Sequence, residues 1–242
     1  MEIMADKRLF IIKVGTTFPD TMREYGDFDL WTINGLGKRR DDTGVIDAEH
    51  GDPLPDANEC AGVVVTGSHD MVTDNLAWSK KVAEWLPSLL EEEVPLLGIC
   101  YGHQLLAHAL GGKVGFHPEG TEVGTVEINL LPECAADPLF SSLPIAFSAH
   151  ATHSQTVVLL PRSTVRLAMN GFEPNHAFRV GRCAWGVQFH PEYTAEIMRS
   201  YIINGKEDLL NEGIDIRPIL DSVKETPVSA SILKRFSEIV TP

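Results

Sequence analysis

The 242-residue chain has no stretch approaching the roughly 18 apolar residues of a membrane helix, so a membrane-spanning protein is not expected. It has no C-x-x-C pair and no Cys/His spacing suited to zinc; Cys60, Cys100, Cys134 and Cys183 stand singly. A chain this long buries enough surface to hold a core without disulfides, so a reducing, cytoplasmic setting is expected. Cys60 and Cys183 border apolar runs and read as small core hydrophobes. Positive charge is in deficit: 20 Lys and Arg stand against 34 Asp and Glu, a formal charge of -14. Such a surface repels phosphate backbones and anionic lipid, so neither nucleic acid nor membrane is expected as a partner. The amino-terminal MEIMADKRLFIIKVG has too short an apolar run for a signal peptide and no small-residue cleavage site. No repeat, low-complexity tract or linker divides the chain, so residues 1–242 read as one domain.

Buried strands are well represented. Arg8–Val14, Ala61–Thr66 and Val94–Ile99 are apolar runs rich in β-branched residues, the pattern of central parallel strands. Thr17–Asp47 reads as one helix followed by a variable strand and loop. Asn75–Glu93 spaces Trp78, Val82, Leu86 and Leu89 as a helix does, with a break expected at Pro87. Tyr101–Leu110 reads as a helix stopped by Gly111-Gly112. Short strands follow at Thr125–Leu131, Ile145–Ser148, Thr156–Leu160, Val165–Met169, His176–Val180 and Ala184–Phe189. Helices over about Thr194–Asn204 and Ser229–Val240 close the chain. Strands alternating with helices, then a run of strands, predict an α/β sheet with helices on both faces and an antiparallel extension.

Two segments carry chemistry. In Gly98-Ile99-Cys100-Tyr101-Gly102 a buried strand runs directly into a helix, the G-x-nucleophile-x-G elbow with cysteine as the nucleophile. Glycines flank it because side chains there would strike the neighbouring strand and helix. The helix N-terminus favours the thiolate, and the backbone N–H of Tyr101 faces the oxyanion formed on attack. In Gln188-Phe-His190-Pro-Glu192, residues i and i+2 of an extended segment share one side, and Pro191 keeps His190 extended. A carboxylate beside an imidazole sets its tautomer and stabilises its protonated form, the orienting role in a triad.

VPLLGICYGHQLLAHALGGKV together with WGVQFHPE resembles the class I glutamine amidotransferases, over Ala61 to about Tyr201. That resemblance implies a flavodoxin-like, doubly wound sheet with Cys100 at the carboxyl end of a central strand. It implies a Cys100–His190–Glu192 triad, with Gly67, Ser68 and Tyr101 as oxyanion donors although Ser68 and His69 replace the family's usual Gly and Pro. It also implies substrate contacts from Gln104, Ser154 and Gln155, the last two in a segment similar to the family's H-x-x-x-V…-L-P. No cofactor is implied. His150 and His153 lack a third ligand, so no metal is expected; His103 and His108 read as packing or surface residues.

The resemblance implies release of ammonia from the glutamine side chain through a γ-glutamyl thioester. No S-G-G-x-D-S or G-x-x-x-x-G-K-[ST] loop is present for activating an acceptor with ATP. Three readings stay open: a glutaminase that serves a separate synthase, a free-standing γ-glutamyl peptide hydrolase, or a catalytically idle regulatory or binding module. Residues 17–56 and 115–125 are candidates for specificity, and Gly205–Pro242 offers a terminal helix and nothing chemical.

Overall fold

The computed structural model of the chain describes residues 7–240. The first six residues of the stretch judged above for a signal peptide lie outside the described residues, as do the last two. In chain order come β1 (Arg8–Lys13), α1 (Pro19–Tyr25), α2 (Phe28–Gly35), β2 (Thr43–Asp47) and β3 (Cys60–Val65). Next are α3 (Ala77–Glu91), β4 (Leu96–Ile99), α4 (Tyr101–Ala109) and β5 (Lys113–Phe116). Then follow β6 (Glu122–Leu130), β7 (Ala146–His153), β8 (Gln155–Leu159), β9 (Thr164–Met169), β10 (Ala177–Val180) and β11 (Ala184–Val187). Helices α5 (Ala195–Asn204), α6 (Lys206–Asn211), α7 (Ile216–Ser222) and α8 (Pro227–Val240) end the described chain.

Nine strands form one sheet in the order β2-β1-β3-β4-β11-β10-β9-β6-β7. The five strands from β2 to β11 are mutually parallel, and β10, β9, β6 and β7 continue the sheet antiparallel. This is the mixed sheet with an antiparallel extension that the sequence pattern predicts, flavodoxin-like as the family resemblance implies, and β5 pairs with β8 in a separate two-stranded ribbon. Successive strand residues face opposite sides, so both faces of a central strand need an apolar cover. Ile11, Val64 and Leu97 pack on one face with Ile33 of α2 and Leu233 and Phe236 of α8. Ile12, Val63, Val65 and Leu96 pack on the other with Val82 and Leu86 of α3 and Leu105 of α4. A third apolar cluster joins Phe28 and Trp31 to α5, α6 and α7 beyond the end of the sheet.

Four expectations need correction. Thr17–Asp47 holds two helices, because Gly26 ends α1 at φ 85° and the Asp27 carboxylate caps α2 by accepting from Phe28 N–H. Pro87 does not break α3; Val82, Leu86 and Leu89 are buried on both sides of it and hold the axis through the missing hydrogen bond. β7 runs to His153 rather than Ser148, because β6 starts at Glu122 and pairs along its length. Cys183 is only half-buried, its thiol donating to the Glu93 carbonyl at 3.2 Å; Cys60 is buried as expected.

Candidate active site

β4 delivers Cys100 to the carboxyl edge of the sheet, and α4 begins at the next residue. Cys100 has φ 50° and ψ -99°, a conformation that a non-glycine residue holds only when its surroundings enforce it. The surroundings are the two glycines. A Cβ on Gly98 would lie 2.4 Å from the Gly102 carbonyl oxygen, and one on Gly102 would lie 2.4 Å from the Val65 carbonyl oxygen. Both contacts are with backbone of the adjoining helix and strand, the collision anticipated from the sequence.

His190 follows β11, the neighbour of β4, and its backbone N–H donates to the His150 carbonyl across an isolated bridge to β7. Its Nδ1 lies 2.7 Å from Glu192 Oε1, with the side chains only 2% and 1% exposed. Pro191 therefore leaves the two on one side, as the extended spacing predicts. Burial disfavours the imidazolium, but the charges of Glu192 and Cys100 outweigh it and raise the His190 pKa well above its ordinary value. Nε2, the far ring nitrogen, has no well-formed hydrogen bond. His190 and Cys100 line the same cavity, of about 510 Å³. Tyr193 stacks on the imidazole with centroids 4.1 Å apart.

The turn after β3 closes over this pair. A Cβ on Gly67 would lie 3.1 Å from His190 Cε1 and 3.8 Å from Cys100 Cβ, so only glycine gives the loop this approach without pressure on the imidazole. Among the described residues, no hydrogen bond engages the backbone N–H of Gly67, Ser68 or Tyr101. Ser68 Oγ instead accepts from Asp70 N–H and holds the turn.

Gln104, Ser154 and Gln155 line the cavity as well. Gln104 Nε2 donates to the Gln155 carbonyl at 2.8 Å and to Gln188 Oε1 at 3.0 Å, which engages both amide hydrogens in the wall. Gln155 Nε2 donates to Thr73 Oγ1 at 2.6 Å, and Ser154 Oγ reaches only Met71 Sδ, at 3.9 Å. His150 and His153 do not converge, since residues three apart on a strand face opposite sides. His150 meets Thr125, and burial followed by the charge of His190 pushes its pKa down to about 4. His153 bonds Glu122 at 3.0 Å, and His176 approaches the same carboxylate oxygen at 3.2 Å. Burial opposes ionisation of Glu122, yet these two histidines hold its carboxyl well below the usual range.

Sequence reading missed Glu122, whose partners lie 31 to 54 residues away and leave no local signal. It also missed α6: Asp208, Leu209 and Asn211 line the cavity, with Glu212 just beyond the helix. The tail from Gly205 is thus part of the site wall, because α5 turns directly into α6 and Glu212, just past it, is held by Thr121. His69 and Tyr201, which also line the cavity, were not proposed as site residues either.

The family model for class-I glutamine amidotransferases matches residues 28–207. The chain belongs to this family. It is 37% identical over 140 residues to a GMP synthase from Porphyromonas gingivalis, a match covering 57% of the chain and 26% of that protein. The chain thus spans about a quarter of the length of that relative. It is 29% identical over 195 residues to gamma-glutamyl peptidase 5 of Arabidopsis thaliana, covering 78% of the chain and 76% of the peptidase. Among solved structures, a glutamine amidotransferase from Thermotoga maritima superposes with a TM-score of 0.76 at 25% identity, covering 96% of this chain and 97% of that one. Among the described residues of this amidotransferase domain, no helix is long and apolar enough to cross a membrane.

Proposed function

We propose that the domain hydrolyses the side-chain amide of glutamine with Cys100 as nucleophile, His190 as acid and base, and Glu192 as the carboxylate that orients the imidazole. The observation that carries this reading is the buried His190–Glu192 contact of 2.7 Å at the mouth of the strained Cys100 elbow. The thiolate attacks the γ-carbonyl carbon, and the oxyanion develops beside the unengaged N–H groups of Gly67, Ser68 and Tyr101. One donor of this kind is worth roughly 3 to 4 kcal/mol of barrier. The C–N bond then breaks as His190 passes its proton to the departing ammonia. Water next attacks the γ-glutamyl thioester while His190 takes a proton, and glutamate leaves with the thiolate restored. The raised pKa of His190 suits it to hold the proton that the leaving amine needs. No step requires a cofactor or metal. Gln104 acts through the wall it ties together, and Ser154 and Gln155 face the bound amino acid.

A separate synthase that consumes the ammonia is the partner this reading implies, since the matched GMP synthase is nearly four times as long as the aligned segment. A second reading, cleavage of larger γ-glutamyl amides with no synthase, is favoured by the size of the cavity, which continues past Cys100 to α6. Glutamate release from glutamine and from γ-glutamyl amides by wild type and Cys100→Ala tests both. Turnover that disappears in Cys100→Ala is expected; equal turnover by the two proteins would remove the site from consideration.

A further inference from the structure

The cavity that holds Cys100, His190 and Gln104 is lined as well by Thr121, Asp70, Asp208 and Glu212. No lysine or arginine lines it. Asp70, Asp208 and Glu212 are carboxylates outside any ion pair among the described residues. Burial, then the neighbouring Asp74, pushes the Asp70 carboxyl up, the direction expected of an acid short of a cationic partner. Thr121 Oγ1 donates to Glu212 Oε1 at 3.0 Å and fixes that carboxylate on the rim.

The adjoining wall is aromatic. Phe18 lies 4.4 Å from His69 and 5.2 Å from Tyr201 between ring centroids, and all three line the cavity. His69 Nε2 is 3.2 Å from the Tyr201 hydroxyl, which orients the imidazole. Burial, then the charge of His190, lowers the His69 pKa, which disfavours a charge on the ring that would repel a cation. Rings and carboxylates lining one cavity suit an organic ammonium, which gains from the π faces and from the opposite charge together. One buried acceptor is also unfilled. Gln155 is 1% exposed and its Oε1 has no hydrogen-bond partner, while its Nε2 is held by Thr73.

We propose that this cavity selects γ-glutamyl amides whose leaving amine carries a positive charge of its own, a diamine or polyamine rather than an amino acid. The proposal rests on the second reading above, in which larger γ-glutamyl amides are the substrates. A γ-glutamyl group already brings one ammonium and one carboxylate. A second carboxylate, on an amino-acid leaving group, would meet three acidic side chains and no lysine or arginine, an arrangement that discriminates by repulsion. A terminal ammonium reverses that sign and lies against Phe18, His69 and Tyr201.

The test is kcat/KM for glutamate release from three amides of matched length, γ-glutamyl-diaminobutane, γ-glutamyl-butylamine and γ-glutamyl-aminobutyrate, with glutamine alongside. The cationic amide is expected to exceed the neutral one by roughly tenfold, with the anionic amide slowest and the spread narrowing as salt is added. In an Asp208→Asn/Glu212→Gln variant the cation-to-neutral ratio should contract to a few-fold. An anionic amide equal to or better than the cationic one would overturn the proposal, as would a ratio unmoved in that variant. Cleavage of glutamine with no cleavage of any longer amide would overturn it while leaving the glutaminase intact. If no compound is cleaved in a Cys100-dependent way, the hydrolase reading fails first and the proposal with it.

Discussion

At the scale of single residues, the site is a set of opposed electrostatic terms settled by distance. Burial alone would leave His190 neutral, but Glu192 at 2.7 Å and the nearby Cys100 reverse that. Removing the carboxylate charge should therefore lower the His190 pKa and bring forward the loss of its proton. In Glu192→Gln the alkaline limb of the kcat/KM profile should move to lower pH, with kcat falling on the order of a hundredfold or more. A profile unshifted from wild type would detach Glu192 from His190. Both residues were legible in the sequence because two residues of extended chain span the contact. Glu122 was not, because its grip on His153 and His176 is made across strands far apart in the chain.

At the scale of elements, the elbow depends on two missing side chains. Gly102→Ala would place a Cβ 2.4 Å from the Val65 carbonyl oxygen, a backbone atom of β3 that has nowhere to retreat within the sheet. A loss of about 1–3 kcal/mol is expected, with a drop in activity as Cys100 is displaced. Urea unfolding and glutamate release would measure both, and an unchanged midpoint would show the elbow to be more yielding than its geometry. α3 gives the converse case. Pro87 removes one helical hydrogen bond yet the helix continues, so Pro87→Ala restores a donor at a site already helical. A stabilisation of about 1 kcal/mol or more is expected, visible as a rise in Tm of roughly 2–4 °C; a lower Tm would mean that the ring packs better than the donor bonds. Local pattern placed α3 and α4 well, since apolar spacing and Gly111-Gly112 are written in neighbouring residues. It could not see α6 and α7, whose short polar segments fold only against β6 and α5.

Across the whole molecule, acid should be a direction of loss, set by buried histidines kept neutral in the fold. His103 is buried beneath the sheet with Phe178 at 4.7 Å and no well-formed hydrogen bond, and burial pushes its pKa down to about 3. Between there and the ordinary value of 6.5, the unfolded chain binds a proton that the folded chain refuses. Stability therefore falls as pH drops through that window, by about 2 kcal/mol from pH 6.5 to about pH 5 for this histidine. His103→Leu should give a gentler loss of stability over the same range, read from Tm against pH. An identical slope would place the acid sensitivity elsewhere, with His150 the next group to examine.

What the sequence determined by itself was whatever neighbouring residues can express. That covers the buried strands, the glycine-flanked Cys100 turn, the His190–Glu192 spacing and the class of fold. What only the tertiary structure decided was how distant segments meet: α6 on the same cavity as Cys100, Glu122 bonded to His153, and His69 against Phe18 and Tyr201. The physical reason is that backbone conformation and apolar period are short-range properties. A cavity wall is assembled from side chains whose only common feature is where the sheet and its helices bring them.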